Sequence, residues 1–396
     1  MIKLASQEMC TGCSACAFVC AKNAITMTPN SVGVILPSID NSKCVNCGRC
    51  QSVCPALNPI KKNSPIKAYA AWHNDTNERN RSASGAIAAA AYRYALEEGM
   101  NIAGTIQEED FSVHLILSDN AKDIEQFRNS KYVYSSIESL LPELKKSIRE
   151  GRRSLVIALP CQIAAIRKCF PKQDLLLYAD IVCHGTTPTS YLQQHIRSIE
   201  SKCGKKAVKM YFRDPSLSTH TYHFSLYDNR NERFYAQRTI NGDTYQVGYH
   251  RVVSYRSNCY NCQYAQAQRV GDFTLCDYSG LGTVTPFDYN NINVSCILVN
   301  TPKGEAFLRP LIESNILTAI ERPLEEPISG NRQLQRPCDK NAMRKDFEKQ
   351  IVKCNGDFER AMSTVIAHSK QREKYKVLLS FPIRVASRIK RCLLRQ

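Results

Sequence analysis

Eight cysteines near the N-terminus have the residue type and the spacing of iron–sulfur ligands. They form two runs of the pattern C-x2-C-x2-C-x3-C, and the second run repeats the first 34 residues later. This spacing is typical of bacterial two-cluster ferredoxins, in which closely spaced thiolates bind [4Fe–4S] cubes. The runs consist of Cys10, Cys13, Cys16 and Cys20, and of Cys44, Cys47, Cys50 and Cys54.

In this pattern the fourth cysteine of each run ligates the other cube. The sequence therefore predicts a first cluster on Cys10, Cys13, Cys16 and Cys54, and a second cluster on Cys44, Cys47, Cys50 and Cys20. Gly12 and Gly48 supply the positive φ that tight ligand loops need. Paired zinc sites or disulfides are the alternatives, but zinc sites usually carry two C-x2-C pairs set well apart.

Four further cysteines are candidates for a third [4Fe–4S] cluster. Cys161 and Cys183 each follow an apolar strand-like segment, and sites in open α/β sheets gather at the carboxyl ends of strands. Cys259 and Cys262 form a separate C-x2-C pair, which in a cytosolic chain favours a metal or redox role. The alternative for Cys161 and Cys183 is a small buried apolar residue. The remaining cysteines without ligand spacing are interpreted as structural or surface thiols: Cys169, Cys203, Cys296, Cys338, Cys354 and Cys392.

The composition indicates a globular protein with free thiols. The chain has 396 residues, of which 43% are hydrophobic, and its 19 cysteines are too sparse for a disulfide scaffold. No signal peptide and no apolar run of membrane-spanning length are present, so we expect a cytoplasmic protein. The formal charge of +17 favours an acidic coenzyme, an acidic redox partner or an anionic membrane surface.

Residues 1–57 are predicted to form a ferredoxin-type module, and the polar segment 58–65 to form a linker. From residue 66 onward strand-like and helix-like segments alternate, which favours an α/β domain with a largely parallel sheet. Helices are predicted at Ser84–Glu98 and Ser136–Glu150, each followed by a glycine. Residues 207–255 are rich in aromatics, and the last 50 residues are helical and basic.

The segment from about residue 66 to 300 resembles the family of beta subunits of coenzyme F-420 hydrogenases and dehydrogenases. The matching motifs occur in family order. They are RSASGA (81–86), SKYVYS (130–135), LPCQIAAI (159–166), DIVCHG (180–185), YFRD (211–214), RSNCYNC (256–262) and GDFTLCDYSG (271–280). The resemblance points to the bacterial branch that accompanies polysaccharide biosynthesis, so exopolysaccharide biosynthesis is the suggested setting.

The resemblance implies an α+β ferredoxin-like dicluster module followed by an α/β flavin-binding domain with a mixed sheet. The implied domains are residues 1–57 for the two clusters, 66–150 and 151–320 for the N- and C-terminal parts of the beta-subunit-like domain, and 321–396 for a basic helical segment. It also implies that Cys161, Cys183, Cys259 and Cys262 bind the third cluster. FAD is implied beside that cluster, in a pocket lined by Ser84, Gly85, Lys131, Tyr132, Gln162, His184 and Gly185.

This chain departs from the family motifs at several positions. Leu159 stands where a small polar residue is usual, and Ala86 replaces the second glycine of S-G-G. Cys276 and Ser279 replace the usual glycine and tryptophan of the late motif. Whether Cys276 takes the place of a third-cluster ligand stays open at this point. No G-x-G-x-x-G follows any strand, so a Rossmann-type NAD site is not expected.

The sequence thus predicts a flavin- and iron–sulfur-dependent oxidoreductase whose substrate is undefined. FAD exchanges electron pairs with a two-electron donor or acceptor and single electrons with clusters. His184 is the predicted proton donor, because histidine titrates near neutral pH; a structural histidine in a tight turn is the alternative. The rival functions are a non-catalytic electron-transfer subunit of a larger redox complex, and an anion- or nucleic-acid-binding protein with structural clusters.

The predicted partners are a redox protein, such as ferredoxin or a sister subunit, and an unidentified small molecule. No nucleic acid is expected, because the chain lacks a nucleic-acid-binding motif. The C-terminal sequence 381–396 has five basic residues, no acidic residue and an apolar residue every fourth position. This pattern is typical of an amphipathic helix that lies on an anionic membrane at the inner face, or of a helix packed on the α/β domain.

Overall fold

The structure is a computed structural model that describes residues 2–219, 221–288 and 293–374. Its strands are β1 Ile25–Pro29, β2 Ile35–Ile39, β3 Lys67–His73, β4 Asn101–Gln107, β5 Val113–Ser118, β6 Ser154–Ala158, β7 Leu176–Ile181, β8 Lys209–Tyr211, β9 Phe224–Tyr227, β10 Arg233–Gln237, β11 Phe273–Asp277, β12 Ser295–Val299 and β13 Leu317–Arg322.

The helices are α1 Ala15–Phe18, α2 Arg49–Ser52, α3 Thr76–Asn80, α4 Ile87–Glu97, α5 Ile124–Phe127, α6 Leu140–Arg149, α7 Pro160–Cys169, α8 Thr189–Cys203, α9 Thr244–His250, α10 Pro302–Glu313, α11 Glu325–Gly330 and α12 Ala342–Lys353. Residues 358–374 form a further helix. The amphipathic segment 381–396 lies outside the described residues, so its prediction is untested. In the part of the chain that the structure describes, no helix is long and apolar enough to cross a membrane.

The N-terminal module has an internal two-fold repeat. The antiparallel strands β1 and β2 pair from Ile25–Ile39 to Pro29–Ile35, and the one-turn helices α1 and α2 pack together. Backbone φ is positive at Gly12 and Ser14, and again 34 residues later at Asn46 and Gly48. Gly12 and Gly48 therefore have the left-handed conformation that their sequence positions predict. Asn46 and Ser14 adopt it too, although only asparagine is a common non-glycine choice.

The large domain is built on an eight-stranded mixed sheet with the order β13-β3-β12-β11-β7-β6-β4-β5. Parallel pairing between neighbours occurs only among the central strands β11, β7, β6 and β4. All the flanking pairings are antiparallel. The mixed sheet is therefore confirmed, whereas a largely parallel sheet describes only its centre. Because β6 and β7 are parallel neighbours, the residues that follow them emerge side by side.

Helices cover both faces of this sheet. One apolar core joins α4 and α10 to side chains such as Leu155 of β6, and the opposite core joins α1, α6 and α7 to the adjacent Val156. Both residues are fully buried. Successive strand residues face opposite sides of a sheet, so this alternation shows that the central strands are covered on both faces.

The helices predicted at Ser84–Glu98 and Ser136–Glu150 are observed as α4 and α6, and each begins about one turn later than predicted. Before α4, Ser84 and Gly85 are bonded to Ser295: the Ser295 hydroxyl donates to Ser84 Oγ and accepts from the Gly85 N–H at 2.8 Å. Before α6, the backbone of Ser136 bonds to Val113 and Leu115 of neighbouring β5. Tertiary hydrogen bonds therefore hold the first residues of each predicted helix outside the helix.

A second layer contains the aromatic region. Strands β10, β9 and β8 form a three-stranded antiparallel sheet that packs with α8, α9, α12 and helix 358–374 around one apolar core. His195 of α8 lies inside this layer, 3% exposed, between carboxylates of Asp243 and Glu359. The layer therefore contains a buried charged group as well as its aromatic rings.

The predicted linker is attached to the large domain. The backbone N–H and C=O groups of Asn63 and Arg269 pair in both directions at 2.8 Å. The Lys62 ammonium donates to the Gln263 carbonyl at 2.5 Å. Both contacts reach the segment around Cys262, so the module is joined directly to the region of the predicted third cluster.

Candidate metal and cofactor sites

The first cysteine group surrounds a cavity of about 390 Å³ in the N-terminal module. It is lined by Cys10, Cys13, Cys16 and Cys54, together with apolar side chains from the module. Burial raises the pKa of the Cys13 thiol to about 11, and the neighbouring thiols Cys10 and Cys54 add to this increase. The structure therefore brings together the four residues that the exchanged-ligand pattern assigns to the first cluster. Thiols this hard to ionise are deprotonated readily only when bound to a metal.

The second group lies at the surface of the module. Cys47 is exposed and Cys50 is buried at the start of α2. Burial raises the pKa of Cys50, with further contributions from Cys44 and Cys47, so these three thiols are close together. The Cys20 sulfur accepts the Ala24 N–H at 3.3 Å. The place of Cys20 as the fourth ligand stays a prediction.

The third group comes from three separate parts of the large domain. Cys161 lies in the first turn of α7, directly after β6, and Cys183 follows the neighbouring strand β7. Cys259 lies in the 3-10 turn Ser257–Asn261, and Cys262 immediately follows that turn. All four line one cavity of about 860 Å³, a volume that includes the solvent at its mouth.

The electrostatics of this third group reflect its crowding. Burial raises the pKa of Cys161 and Cys183 well above the ordinary range, and each thiol is raised further by the other cysteines of the group. Burial raises the pKa of Cys262 to about 11, and Cys259 contributes to that increase. Four converging thiols therefore need a strongly cationic ligand to ionise together.

The donor set and the space between the thiols fit an iron–sulfur cube. Within residues 2–219, 221–288 and 293–374, no group of three or more histidine, cysteine or acidic side chains closes around a single metal ion. The cysteines instead surround volume, as four thiolates around a cluster do. The third and first groups share a wall, because Cys13 lines both cavities.

Cys338 also lines the large cavity, although sequence spacing gave no indication of a site for it. This buried thiol donates to the His184 carbonyl at 3.7 Å and accepts from the Gln333 side-chain amide at 3.3 Å. Burial raises its pKa, and Cys259 adds to that effect. Cys338 follows no strand and belongs to no short motif, so only the tertiary structure identifies it.

Cys276 lies elsewhere in the sheet. It is directly opposite Cys296 in the antiparallel pairing of β11 with β12, and both pack into a small apolar core with Leu298. Its position against β12 gives it a packing role that does not involve the four thiols of the third group.

The residues that the resemblance assigns to FAD fall into two groups. Gln162, His184 and Gly185 line the large cavity, whereas the lining of that cavity does not include Ser84, Gly85, Lys131 or Tyr132. The first group follows β6 and β7. The second group lies in the loops before α4 and after α5. Arg213 interacts with both groups, since it bonds to Tyr132 of the second group and its charge acts on His184 of the first.

Arg213 is the centre of this connection and was not assigned a role from the sequence. Its guanidinium donates to Tyr132 Oη at 2.7 Å, to the Ala83 carbonyl at 2.7 Å and to an Asp277 carboxylate oxygen at 2.7 Å. Burial lowers the pKa of His184; Arg213 lowers it further and Asp277 opposes both. His184 itself lines the cavity and directly follows Cys183.

Several of the predicted flavin residues already have internal roles. Gln162 accepts the Leu159 N–H, which caps α7, and donates to the carbonyl and hydroxyl of Ser135, each at 2.9 Å. The Lys131 ammonium donates to two backbone carbonyls, and burial lowers its pKa to about 7. A side chain at Gly85 would approach the Ala71 carbonyl to 2.6 Å. Packing therefore accounts for Gly85 and Gln162 without a ligand, and their contact with FAD stays a prediction.

Comparison with models of known protein families identifies the family of this chain. Two models described as coenzyme F420 hydrogenase/dehydrogenase beta subunit, one for its N-terminal and one for its C-terminal part, match residues 68–142 and 151–323. Two models described as 4Fe-4S dicluster domain match residues 9–58 and 36–99. The chain belongs to the family of coenzyme F420 hydrogenase/dehydrogenase beta subunits. Its N-terminal region is a 4Fe-4S dicluster domain.

Two curated relatives illustrate the breadth of this family. One of the subunits of the F(420)H(2) dehydrogenase of Methanosarcina mazei is 22% identical over 169 residues, which cover 40% of this chain and 48% of the relative. Coenzyme F420-dependent sulfite reductase of Methanocaldococcus jannaschii is 27% identical over 184 residues, which cover 44% of this chain and 28% of the relative. The chain thus spans about half or less of the length of these relatives.

Comparison with solved structures gives one distant match. A chain of the F420-reducing [NiFe] hydrogenase complex from Methanosarcina barkeri aligns with a TM-score of 0.43 and 16% identity. The alignment covers 79% of this chain and 94% of that chain. The likeness at this TM-score is general and does not extend to individual sites.

Proposed function

We propose that this member of the family is an iron–sulfur flavoprotein oxidoreductase with three [4Fe–4S] clusters and one FAD. The main support for this proposal is the cavity in which four cysteines converge next to Cys13 of the first group. These four are Cys161, Cys183, Cys259 and Cys262. The three cysteine groups thereby form a series from the α/β domain to the exposed Cys47. Such a series suits single-electron transfer between a buried site and a surface partner.

FAD supplies the chemistry that links electron pairs to single electrons. We propose that it occupies the region between His184 and the loops of Ser84 and Lys131, which Arg213 connects. His184 lines the cavity, where it accepts a proton from a bound substrate or, once protonated, returns it. Asp277 orients Arg213 through their 2.7 Å contact and thereby fixes the charge beside His184.

Two substrate classes are considered for this proposed activity. The names of the two relatives refer to coenzyme F420, but the alignments cover only part of those proteins. A small organic substrate of exopolysaccharide assembly is the proposed alternative to the deazaflavin coenzyme. A cytoplasmic setting suits the free thiols. The proposed partner is a redox protein, such as ferredoxin or a sister subunit, that meets the exposed Cys47 side.

The experiment is anaerobic purification of the full chain with iron, sulfide and flavin analysis. Three cubes correspond to about twelve irons per chain. Non-covalent FAD is expected to co-purify or rebind, and NADH alone is expected to reduce it poorly. A reproducible iron content near eight would remove the third cluster, and flavin-free protein that fails to bind FAD would remove the flavin.

A non-catalytic electron-transfer subunit is the second candidate function. It is favoured by the name of the Methanosarcina mazei relative, which is one of the subunits of a dehydrogenase. Under this function the isolated chain reduces no organic substrate by itself, yet its clusters accept electrons from a chemical reductant. Turnover of an organic substrate by the isolated chain separates the two functions.

A further inference from the structure

Arg256 is a buried cation without a carboxylate partner among the described residues. It is 2% exposed, and its Nη2 donates to the Ile35 carbonyl at 3.1 Å while its Nε donates to Asn258 Oδ1 at 3.4 Å. Its Nη1 is buried and has no hydrogen-bond partner in the part of the chain that the structure describes. The guanidinium carbon lies 4.4 Å from the centre of the Tyr134 ring. A buried charge without a counter-charge is strongly unfavourable, so the compensation has to come from a group that binds there.

The other large buried arginines of the described chain are paired. They form ion pairs in Arg269–Asp180, Arg128–Glu78, Arg213–Asp277, Arg322–Glu326 and Arg344–Glu348. Arg256 is therefore exceptional within the same fold.

The backbone of Arg256 belongs to the third cysteine group. Its N–H donates to the Thr186 carbonyl at 2.8 Å, and its own carbonyl accepts the Cys259 N–H at 3.0 Å. Thr186 follows Cys183 in the chain, so these bonds fix Arg256 between two of the four cysteines of that group. The backbone position of Arg256 is therefore set by the loops that carry the third-cluster thiols.

The side chain of Arg256 reaches the first cysteine group instead. A Cβ atom at Gly12 would lie 2.7 Å from Arg256 Nη2, so glycine at this position leaves room for the guanidinium. Tyr134, on which the guanidinium stacks, donates its hydroxyl to the Gly12 carbonyl at 2.6 Å.

We propose that Arg256 is the counter-charge of the first cluster and raises its reduction potential. The proposal rests on the ligand assignment given above for that cluster. A cube with four thiolates bears about −2, and each electron it gains makes it more negative. A fixed cation in a low-dielectric site stabilises the reduced state more than the oxidised state. Arg256 thus makes the first cluster a better electron acceptor, while its backbone keeps the third site adjacent.

The test is a potentiometric titration of full-length Arg256→Gln protein under anaerobic conditions, followed by EPR. The first cluster is identified by the signal that Cys10→Ser alters. We expect unchanged iron content and a negative shift of the first-cluster midpoint. The expected shift corresponds to at least a tenfold change in its oxidised-to-reduced ratio at a fixed potential, or about 59 mV for one electron. Arg256→Lys, which keeps the charge, is expected to shift that midpoint less.

Two further variants complete the test. Asn258→Asp keeps the Arg256 guanidinium but places a carboxylate beside it, which offsets its positive charge. The same negative shift of the first-cluster midpoint is therefore expected. This variant decides the question if Arg256→Gln loses its clusters. Lys61→Gln removes an exposed positive charge and is the control, with a much smaller shift expected. An unchanged first-cluster midpoint in cluster-loaded Arg256→Gln, or in Asn258→Asp if the former is unloaded, overturns the proposal. If the unsubstituted protein has an iron content near eight, only the proposal of a third cluster fails. The midpoint of the first cluster can still be measured.

Discussion

Arg269 and Asp180 form a buried ion pair in which the guanidinium Nη2 lies 2.7 Å from the carboxylate. Asp180 lies near the end of β7, shortly before Cys183 in the chain. Arg269 follows the loop that carries Cys262. The same carboxylate accepts the N–H groups of Val270 and Gly271 and the hydroxyl of Thr274. The pair therefore fixes two cysteine-bearing segments against each other.

Asp180→Asn is expected to destabilise the fold and to weaken the third site selectively. Removing one partner leaves a buried, unpaired guanidinium, which costs about 3–5 kcal/mol. The measurement is the apparent thermal unfolding midpoint together with the iron content under anaerobic conditions. Asp339→Asn, in an exposed ion pair with Arg336, is the matched control and should change little. A variant with unchanged midpoint and iron content would contradict this role of the pair.

Cysteine substitutions distinguish the third-cluster ligands from the fifth thiol of the same cavity. Cys259→Ser should lose one cluster, or about four irons, and spare the other two. Cys338→Ala should keep all three clusters, because its thiol is already bonded to Gln333 and to the His184 carbonyl. The iron content and the EPR spectrum of the reduced protein provide the measurement. Equal loss of iron in both variants would make Cys338 a ligand.

The buried histidine of α8 predicts a loss of stability at high pH. Burial alone lowers the pKa of His195, but the carboxylates of Asp243 and Glu359 outweigh it and raise the pKa to about 9. A raised folded-state pKa gives stability that is fully present below the unfolded value of about 6.5 and is lost as pH rises through about 9. The loss is about 3 kcal/mol at most.

The measurement is the apparent unfolding midpoint of the native protein and of His195→Gln between pH 6 and pH 10. The difference between the two proteins should be largest at pH 6, should shrink between about pH 6.5 and pH 9, and should be small above pH 9. His114→Gln is the control, because His114 lies at a solvent-accessible edge strand beside Glu108. A pH-independent difference would show that folding does not raise the pKa of His195.

Ala86 has a strained backbone at the start of α4. Its φ is 66°, in the left-handed region, where a non-glycine residue costs about 1–2 kcal/mol. Ala86→Gly should therefore stabilise the protein by about 0.5–1 kcal/mol, after the larger entropy loss of glycine is subtracted. Ala89→Gly, inside the same helix, should destabilise it by about 1 kcal/mol or more. Both changes are measured as shifts in unfolding midpoint, and destabilisation by Ala86→Gly would contradict the assignment of strain.

The sequence predicted what depends on local spacing. The two ferredoxin-type runs, the positive φ at Gly12 and Gly48, and the strands before Cys161 and Cys183 all follow from short-range patterns. The convergence of Cys161 and Cys183 follows from the parallel pairing of β6 with β7, which the alternation of strands and helices favours. The pairing itself is seen only in the sheet order.

Long-range contacts could not be predicted in the same way. Cys338, Arg213 and Arg256 reach their partners across more than 60 residues of chain and belong to no spacing rule. The antiparallel flank of the sheet, where β3 lies between β12 and β13, also depends on pairings between distant segments. Propensity and periodicity describe one element at a time, and these contacts are decided by how the elements pack.

The backbone pairing of Asn63 with Arg269 makes the N-terminal module an integral part of the molecule rather than an exchangeable cassette. A chimaera that replaced residues 1–65 with the corresponding part of another protein would have to recreate this backbone pairing. It would also have to recreate the space beside Gly12 that the Arg256 guanidinium occupies. The two halves are therefore constrained to change together, and recombination at the segment 58–65 would disrupt both at once.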